Sequence, residues 1–344
     1  MKQSMNIQEL LSEIVRQNSV KNDFLVPLNH FHMNQDASVS LNGAGTFTIN
    51  DHALLSIMSD MNTHAKTSMT TNGIRKLYAE RPDILAEIVN QYHGVPDGFP
   101  NARKRIFREL DKVIRYTASD KYKFIDHAPL VQAFAPMLFE KNVTFQSCNI
   151  SADYMHVKVS LPILRGEVKK GDVVEGGLLL RNSEVGLSSF EVAPFLVRLV
   201  CTNGMKSATD IGRHVFKHIG AASGREMDSV HQFLTEDTII KNQEAFASTI
   251  RDIMNHILSE EFFQKELSIL QEAAAVPIQN KVQDVIKNVT ERFNLSSLED
   301  EMILDRLYRG SDFTKWGLAN AVTNVANTSH DYNRASELEA IGGK

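Results

Sequence analysis

Eight cations (Arg103, Lys104, Arg105, Arg108, Lys112, Arg115, Lys121 and Lys123) stand within Asn101–Lys123 against Glu109, Asp111 and Asp120, a local balance of +5. Ile106, Leu110, Val113 and Ile114 recur at helical spacing in the same stretch. A helix over Asn101–Tyr116 is therefore expected, with Arg103, Lys104, Arg108, Lys112 and Arg115 mainly on its exposed face. Such a face can follow a phosphate backbone. More cations follow downstream (Lys169, Lys170, Arg181, Arg198, Lys206, Arg213, Lys217), and Tyr116, Tyr122, Phe124, Tyr154 and Phe190 lie near them in sequence. Cations hold phosphates and rings stack bases, the two needs of a single-strand groove. The candidate nucleic-acid-binding residues are thus Arg103, Lys104, Arg108, Lys112, Arg198, Arg213 and Lys217 for phosphate, with Tyr154 and Phe190 for stacking. The plain alternative is a solvated helix face beside aromatic core residues.

Other chemistry is weaker. His214 and His218 are spaced i, i+4, which on a helix suits a metal, but no carboxylate is fixed beside them by spacing. Cys201 ends an apolar run, where an inert buried thiol is commoner than a nucleophile. The glycine-rich stretches at Asn42–Gly45 and Gly220–Gly224 lack a nucleotide-binding fingerprint. No catalytic residue, metal ligand or cofactor is assigned, and the chain is not expected to be an enzyme.

These groups must be positioned by an α+β chain. In the N-terminal part, Ile7–Arg16 reads as an amphipathic helix and Ser38–Leu41 with Thr46–Ile49 as a hairpin. Further helices are expected from Asp51, over Asp83–Gln91 and over His127–Glu140. An antiparallel β-meander is then expected from Thr144–Ile150, Tyr154–Leu161, Glu175–Glu184 and Ser188–Cys201, followed by a turn at Asn203–Gly204 and a helix over Thr209–Ile219. Pro194 inside the last strand calls for a bulge or an edge position. Helices over Asn242–Ile257, Ser259–Ala275, Pro277–Phe293 and Lys315–Thr328 complete the chain, with a disordered tail from Gly342. The expected division is a mixed region 1–142 with the basic helix, a meander-plus-helix core 143–225 and a helical region 226–344.

The 344 residues carry a net charge of −5, and this average hides a segregation, because Glu226–Asp305 holds six basic and sixteen acidic residues. Two cysteines are too few for a disulfide framework, so a reducing compartment is expected. With neither a signal-peptide pattern nor an apolar run of spanning length, the expectation is a cytoplasmic protein of a bacterial host cell, with no membrane partner.

Asn182-Ser183-Glu184-Val-Gly186, then Leu199-Val-Cys201-Thr-Asn203-Gly204-Met205, then Arg213-His214 occur in an order that resembles the phage- and plasmid-associated family of conserved proteins of unknown function. Trp316-Gly-Leu-Ala-Asn320-Ala-Val-Thr323 and Arg334-Ala-Ser-Glu-Leu338-Glu339 are similar to the way those proteins end, so the resemblance spans about Lys121 to Gly343. It implies an accessory product of a mobile element and brings no catalytic residues. A meander followed by a helix with a basic face is also similar, at the level of fold, to single-strand annealing proteins, which assemble into rings or filaments. The expected function is a phage or mobile-element DNA-binding protein, acting on single strands in annealing or recombination as a homo-oligomer. The alternative is an assembly or counter-defence protein that binds other proteins and no DNA, supported by the acidic helices Asn242–Phe293.

Overall fold

The computed structural model describes residues 5–64, 66–93, 103–199, 203–206, 213–217, 236–329 and 331–344. Helix α1 (Ile7–Val20) is capped by Asn6, whose side chain accepts from the Glu9 N–H while Glu9 reaches back to the Asn6 N–H. A first sheet of six strands runs in the order β1 (Asn22–Pro27), β5 (Lys104–Leu110), β6 (Val113–Ser119), β4 (Gly45–Ile49), β3 (Val39–Leu41) and β2 (Phe31–Met33). Helices α2 (Asp51–His64), α3 (Thr71–Glu80) and α4 (Pro82–His93) supply Leu54, Met58, Ile74 and Val89 to a core shared with Phe107 and Ile114.

The basic helix expected over Asn101–Tyr116 does not form. Its described part is the hairpin β5–β6, with Leu110 opposite Val113 and a two-residue turn at Asp111-Lys112. Both turn residues have positive φ, 52° and 67°, as a type I′ hairpin turn requires. Helical spacing of the apolar residues misled because Arg105, Arg108 and Arg115 are themselves buried. Placing Arg108 and Arg115 on the outward face turned a strand pair into an amphipathic helix.

After α5 (His127–Glu140) comes the meander: β7 (Thr144–Ile150), β8 (Met155–Lys169), β9 (Asp172–Asn182), β10 (Phe190–Arg198) and β11 (Asn203–Lys206), each antiparallel to the next. Strand β12 (His214–Phe216) lies beside the first half of β10. The helix expected over Thr209–Ile219 is thus replaced, in its described part, by a strand; the remainder lies outside the described residues. Asn203-Gly204 is also strand rather than turn. Glycine is needed there because a Cβ would stand 2.0 Å from the Phe195 ring. Pro194 sits where β10 has neither neighbour on one side: β12 pairs with residues 190–192 and β11 with 195–198. On that side the missing N–H of proline leaves no ladder bond broken.

One face of the meander is apolar. Cys148, Val157, Leu180, Val192 and Leu196 pack there with Leu10 of α1, Phe134 of α5, Met254 of α6 (Glu236–Ile257) and Phe263 of α7 (Glu260–Ala275). Helices α8 (Val282–Phe293), α9 (Ser297–Gly310), α10 (Lys315–Ala326) and α11 (Tyr332–Gly342) enclose a separate core around Ile303, Leu307, Val322 and Leu338. Helix α8 starts later than expected because Pro277 instead forms an isolated bridge with Thr314. The expected tail disorder is corrected too, since α11 runs to Gly342. The chain is α+β, with an antiparallel meander between helical N- and C-terminal regions. No helix among the described residues is long and apolar enough to cross a membrane.

Strand β9 approaches β8 so closely that a Cβ on Gly177 would lie 1.9 Å from the Val159 carbonyl oxygen. Gly177→Ala should therefore destabilise the fold by about 1–3 kcal/mol through overpacking. Gly310→Ala, with open space around it, should stay within about 0.5 kcal/mol. Urea unfolding of the two variants checks this, and equal midpoints would contradict it.

Candidate functional site

Many cations among the described residues are paired with carboxylates, and their placement decides which can meet a ligand. Arg108 is 2% exposed. Its Nε and Nη2 donate to the two oxygens of Asp23 at 2.9 and 2.6 Å, its Nη1 donates to Asp126 and to the Glu184 carbonyl, and its guanidinium lies 3.7 Å from the Phe124 ring centroid. Arg115, 1% exposed, donates to Glu184 at 3.2 Å and to the Ala152 carbonyl. Lys21 bridges Asp126 and Glu184 at 2.9 and 3.1 Å. Glu184 also accepts from the His127 N–H, and Asn182 Nδ2 contacts His127 Nδ1 at 3.0 Å. This node ties α1, the β5–β6 hairpin, α5 and the end of β9 together. Burial pushes the Glu184 carboxyl up, but His127, Lys21 and Arg115 outweigh it and bring the pKa to about 2. Burial also drops His127 to about 4, so its ring is neutral.

A second charged assembly lies on the meander face opposite the apolar core. Strand register puts His156, Arg181, Glu191 and Val215 in one row across β8, β9, β10 and β12. Lys158, Leu179 and Ala193 form the next row, and Ser160, Gly177, Phe195 and Lys206 the third. Helix α11 covers this face. Lys158 Nζ donates to Glu339 at 2.6 Å, with both side chains under 10% exposed, and lies 5.2 and 5.4 Å from the Phe195 and Tyr332 rings. Arg181 donates to Asn333 at 3.2 Å and lies over the Tyr154 ring, while the Ser147 and Tyr332 hydroxyls share a hydrogen bond. Glu191 faces Lys206 at 3.5 Å and accepts from Arg213 at 2.7 Å. At the far end Glu175 is taken up by Arg165 and Ser160.

Apart from that last pair, four cations (Lys158, Arg181, Lys206, Arg213) thus meet two carboxylates (Glu191, Glu339). Burial pulls the Lys206 amine below its ordinary value, and Glu191 and Glu339 only partly restore it. His156 is held well below the ordinary imidazole range by burial and by Arg181, Lys158 and Lys206, so it adds no charge. Both His156 ring nitrogens, Arg181 Nε, Ser336 Oγ and Glu339 Oε2 are buried without a hydrogen-bond partner. Each such group costs about 1–3 kcal/mol. The assembly is therefore short of negative charge, with Arg181 Nε left as an unpaired donor, and it suits an anion.

The residues proposed from sequence are not brought onto one track. Arg103 is bound at 2.6 Å to Asp60, which also holds Arg105, beside a cleft of about 240 Å³ lined by Ser56, Ser59, Thr117 and Tyr122. Lys104 is exposed on β5, and Lys112 is exposed at the hairpin turn with its amine 5.6 Å from the Phe47 ring centroid. Arg108 is enclosed by its partners and cannot reach a phosphate, which corrects that assignment. Arg198 pairs in bidentate fashion with Asp172, which also accepts from the Trp316 indole, at the edge of a cleft of about 270 Å³ shared with Arg306 and Arg309. Phe190 is fully buried against Phe216 and Phe246, so it cannot stack a base. Tyr154 is half-buried beside Arg181. Arg213 and Lys217 are exposed on either side of β12, at the margin of the charged face. His214 lies in β12, so the helical pairing with His218 is not formed; His218 and Cys201 lie outside the described residues. His156, Lys158, Glu191 and Glu339 were missed. The alternation of Tyr154, His156 and Lys158 with Met155, Val157 and Val159 carries the signal for His156 and Lys158, since it sets them on the face opposite the apolar core.

Residues 116–339 match the family described as "Domain of unknown function (DUF932)". The chain belongs to this family. No curated protein and no solved structure matches it. The DUF932 span begins on β6 and ends on Glu339, so it takes in the whole charged face, and of the Glu184 node it takes in Asp126, His127, Asn182 and Glu184 but not Lys21, Asp23, Arg108 or Arg115. Several family-like motif residues are structural: Asn182 donates to the Ile125 carbonyl, Asn320 to the Trp316 carbonyl, and Arg334 to both oxygens of Glu299.

His127 titrates near 4 when folded against an ordinary 6.5, and Glu184 near 2 against 4.5. As pH falls, the unfolded chain takes up these protons first, so stability present above pH 6.5 is lost on going down to 4, and more is lost below 4.5. His156 contributes to the upper window with the same sign. Urea melts between pH 7.5 and 5 should show this loss, with His127→Gln removing roughly half of it at one proton of two. An unchanged slope in that variant would contradict the assignment.

Proposed function

We propose that the chain binds a single nucleic-acid strand through its phosphates, at the cationic face of the meander, with Arg213 and Lys217 at the open margin beside β12. The observation that carries this reading is the surplus of Lys158, Arg181, Lys206 and Arg213 over Glu191 and Glu339 on one sheet face. Cations crowded at low dielectric repel one another unless an anion joins them, and a phosphodiester supplies one charge per nucleotide. Half-buried Tyr154, held against Arg181, is the ring placed to meet a base. Assembly of several copies, as in annealing proteins, belongs to the same reading, as does a role in the DNA metabolism of a phage or other mobile element. Exposed Lys104 and Lys112, on the separate first sheet, are not needed for it.

Fluorescence anisotropy of a labelled thymidine 20-mer tests the reading. Affinity should fall steeply from 50 to 300 mM salt, because bound phosphates release counterions. Arg213→Gln and Lys217→Gln should each flatten the logarithmic salt slope by about 0.7, the value per phosphate for single strands. Absence of binding at 50 mM, or equal affinity at both salts, would overturn the proposal.

A further inference from the structure

Strand binding at this face leaves a difficulty, because Lys158, Arg181 and Lys206 lie beneath α11. We propose, resting on that strand-binding reading, that these three residues form a phosphodiester site whose anion in the closed chain is Glu339, so that a bound strand and α11 compete for the same cations. Helix α11 turns Leu338, Ala335 and Ile341 toward the core of α8–α10. Toward the sheet it offers Tyr332, Asn333 and Glu339, which meet Ser147, Arg181 and Lys158. The helix and the main meander core thus belong to different hydrophobic clusters, and the helix meets this face through polar groups and the Tyr332 ring beside the small apolar cluster of Leu179, Phe195 and Val197, an interface of the kind that opens.

The fit of that interface is poor in a telling way. Glu339 gives one oxygen to Lys158 and leaves the other, Oε2, buried without a partner, and Ser336 Oγ, Arg181 Nε and both nitrogens of His156 are left in the same condition. A phosphodiester offers two unesterified oxygens carrying one charge, so it can replace the carboxylate toward Lys158 while accepting from Arg181. The released Glu339 and Ser336 then meet water. Phe195, 5.2 Å from Lys158, stays on the sheet and holds the ammonium for either anion, whereas Tyr332 at 5.4 Å leaves with α11.

Glu339→Gln keeps the shape of the side chain and removes its charge, whereas Glu337→Gln removes the same charge from an exposed position of α11 paired only to nearby Arg334. Anisotropy with the thymidine 20-mer at 100 mM salt should show Glu339→Gln binding about tenfold tighter than wild type, within the usual range for two coupled sites. Glu337→Gln should change affinity less than about twofold, as expected for a screened surface charge. Hydrogen exchange provides a second readout on the unaltered protein, with the amides of α11 exchanging faster when the oligonucleotide is added. Wild type that binds in a salt-dependent way, with Glu339→Gln no tighter than Glu337→Gln and α11 exchange unchanged, would overturn competition and leave the strand-binding reading standing. Failure of both wild type and Glu339→Gln to bind at any salt would overturn both. Wild-type binding at 50 mM salt that is lost at 100 mM, where Glu339→Gln still binds, would support the competition directly.

Discussion

The structure depends on compensating buried charge. Glu184 is the clearest case: it sits just past the end of β9, inside the shell formed by Arg115, Lys21 and the His127 N–H, and those groups reach it from the first sheet, from the end of α1 and from α5. A carboxylate in that position holds its surroundings together only while each partner is present, because removing one member of a buried pair costs about 3–5 kcal/mol. The register of β9 against the first sheet is therefore fixed by polar chemistry, although each sheet has its own apolar core. The same constraint acts on the opposite face of the meander, where compensation is incomplete: Glu191 and Glu339 answer four cations.

This contrast separates structural charge from functional charge. At the Glu184 node three cations (Lys21, Arg108, Arg115) meet three carboxylates (Asp23, Asp126, Glu184) and are enclosed, so Arg108 and Arg115 are unavailable to a ligand despite their position in the most basic stretch of the sequence. Beneath α11 the carboxylates are fewer, with Glu191 and Glu339 set against four cations. Arg198 falls with the first group, since Asp172 binds both arms of its fork. Arg213 and Lys217 fall with the second, on the exposed margin of β12.

Much of the fold was legible where polar residues face water and apolar ones face a core. The hairpin β3–β4, the helix from Asp51, the strands β7 to β10 and the helices α5, α7 and α10 follow ordinary periodicity, turn chemistry and capping. It failed where charge is buried. In Lys104–Ser119 the inward Arg105, Arg108 and Arg115 inverted the apparent pattern, and Asp111-Lys112 forms its turn without the glycine that usually marks one. Helix α9 escaped notice although Ser296 and Glu299 form a capping box, because the acidic run Glu299–Glu301 masks the apolar stripe of Ile303 and Leu307. The candidate site was half legible: Arg181, Lys206 and Arg213 were recognisable as cations of the meander, but Glu339 reaches Lys158 from far along the chain, and spacing carries no signal for such a pair. Membership in DUF932 places these residues within one family span without saying what they bind.

The central claim is that a nucleic-acid strand lies on the meander face that carries Lys158, Arg181 and Lys206. Photocrosslinking with an iodouridine-substituted oligonucleotide, followed by mass mapping of the linked peptides, addresses it most directly. Links at Tyr154 or His156 are the expected result, because these rings stand on the sheet beside Arg181 and Lys158. Links confined to the β5–β6 hairpin or to the clefts beside Asp60 and Arg306 would contradict the account.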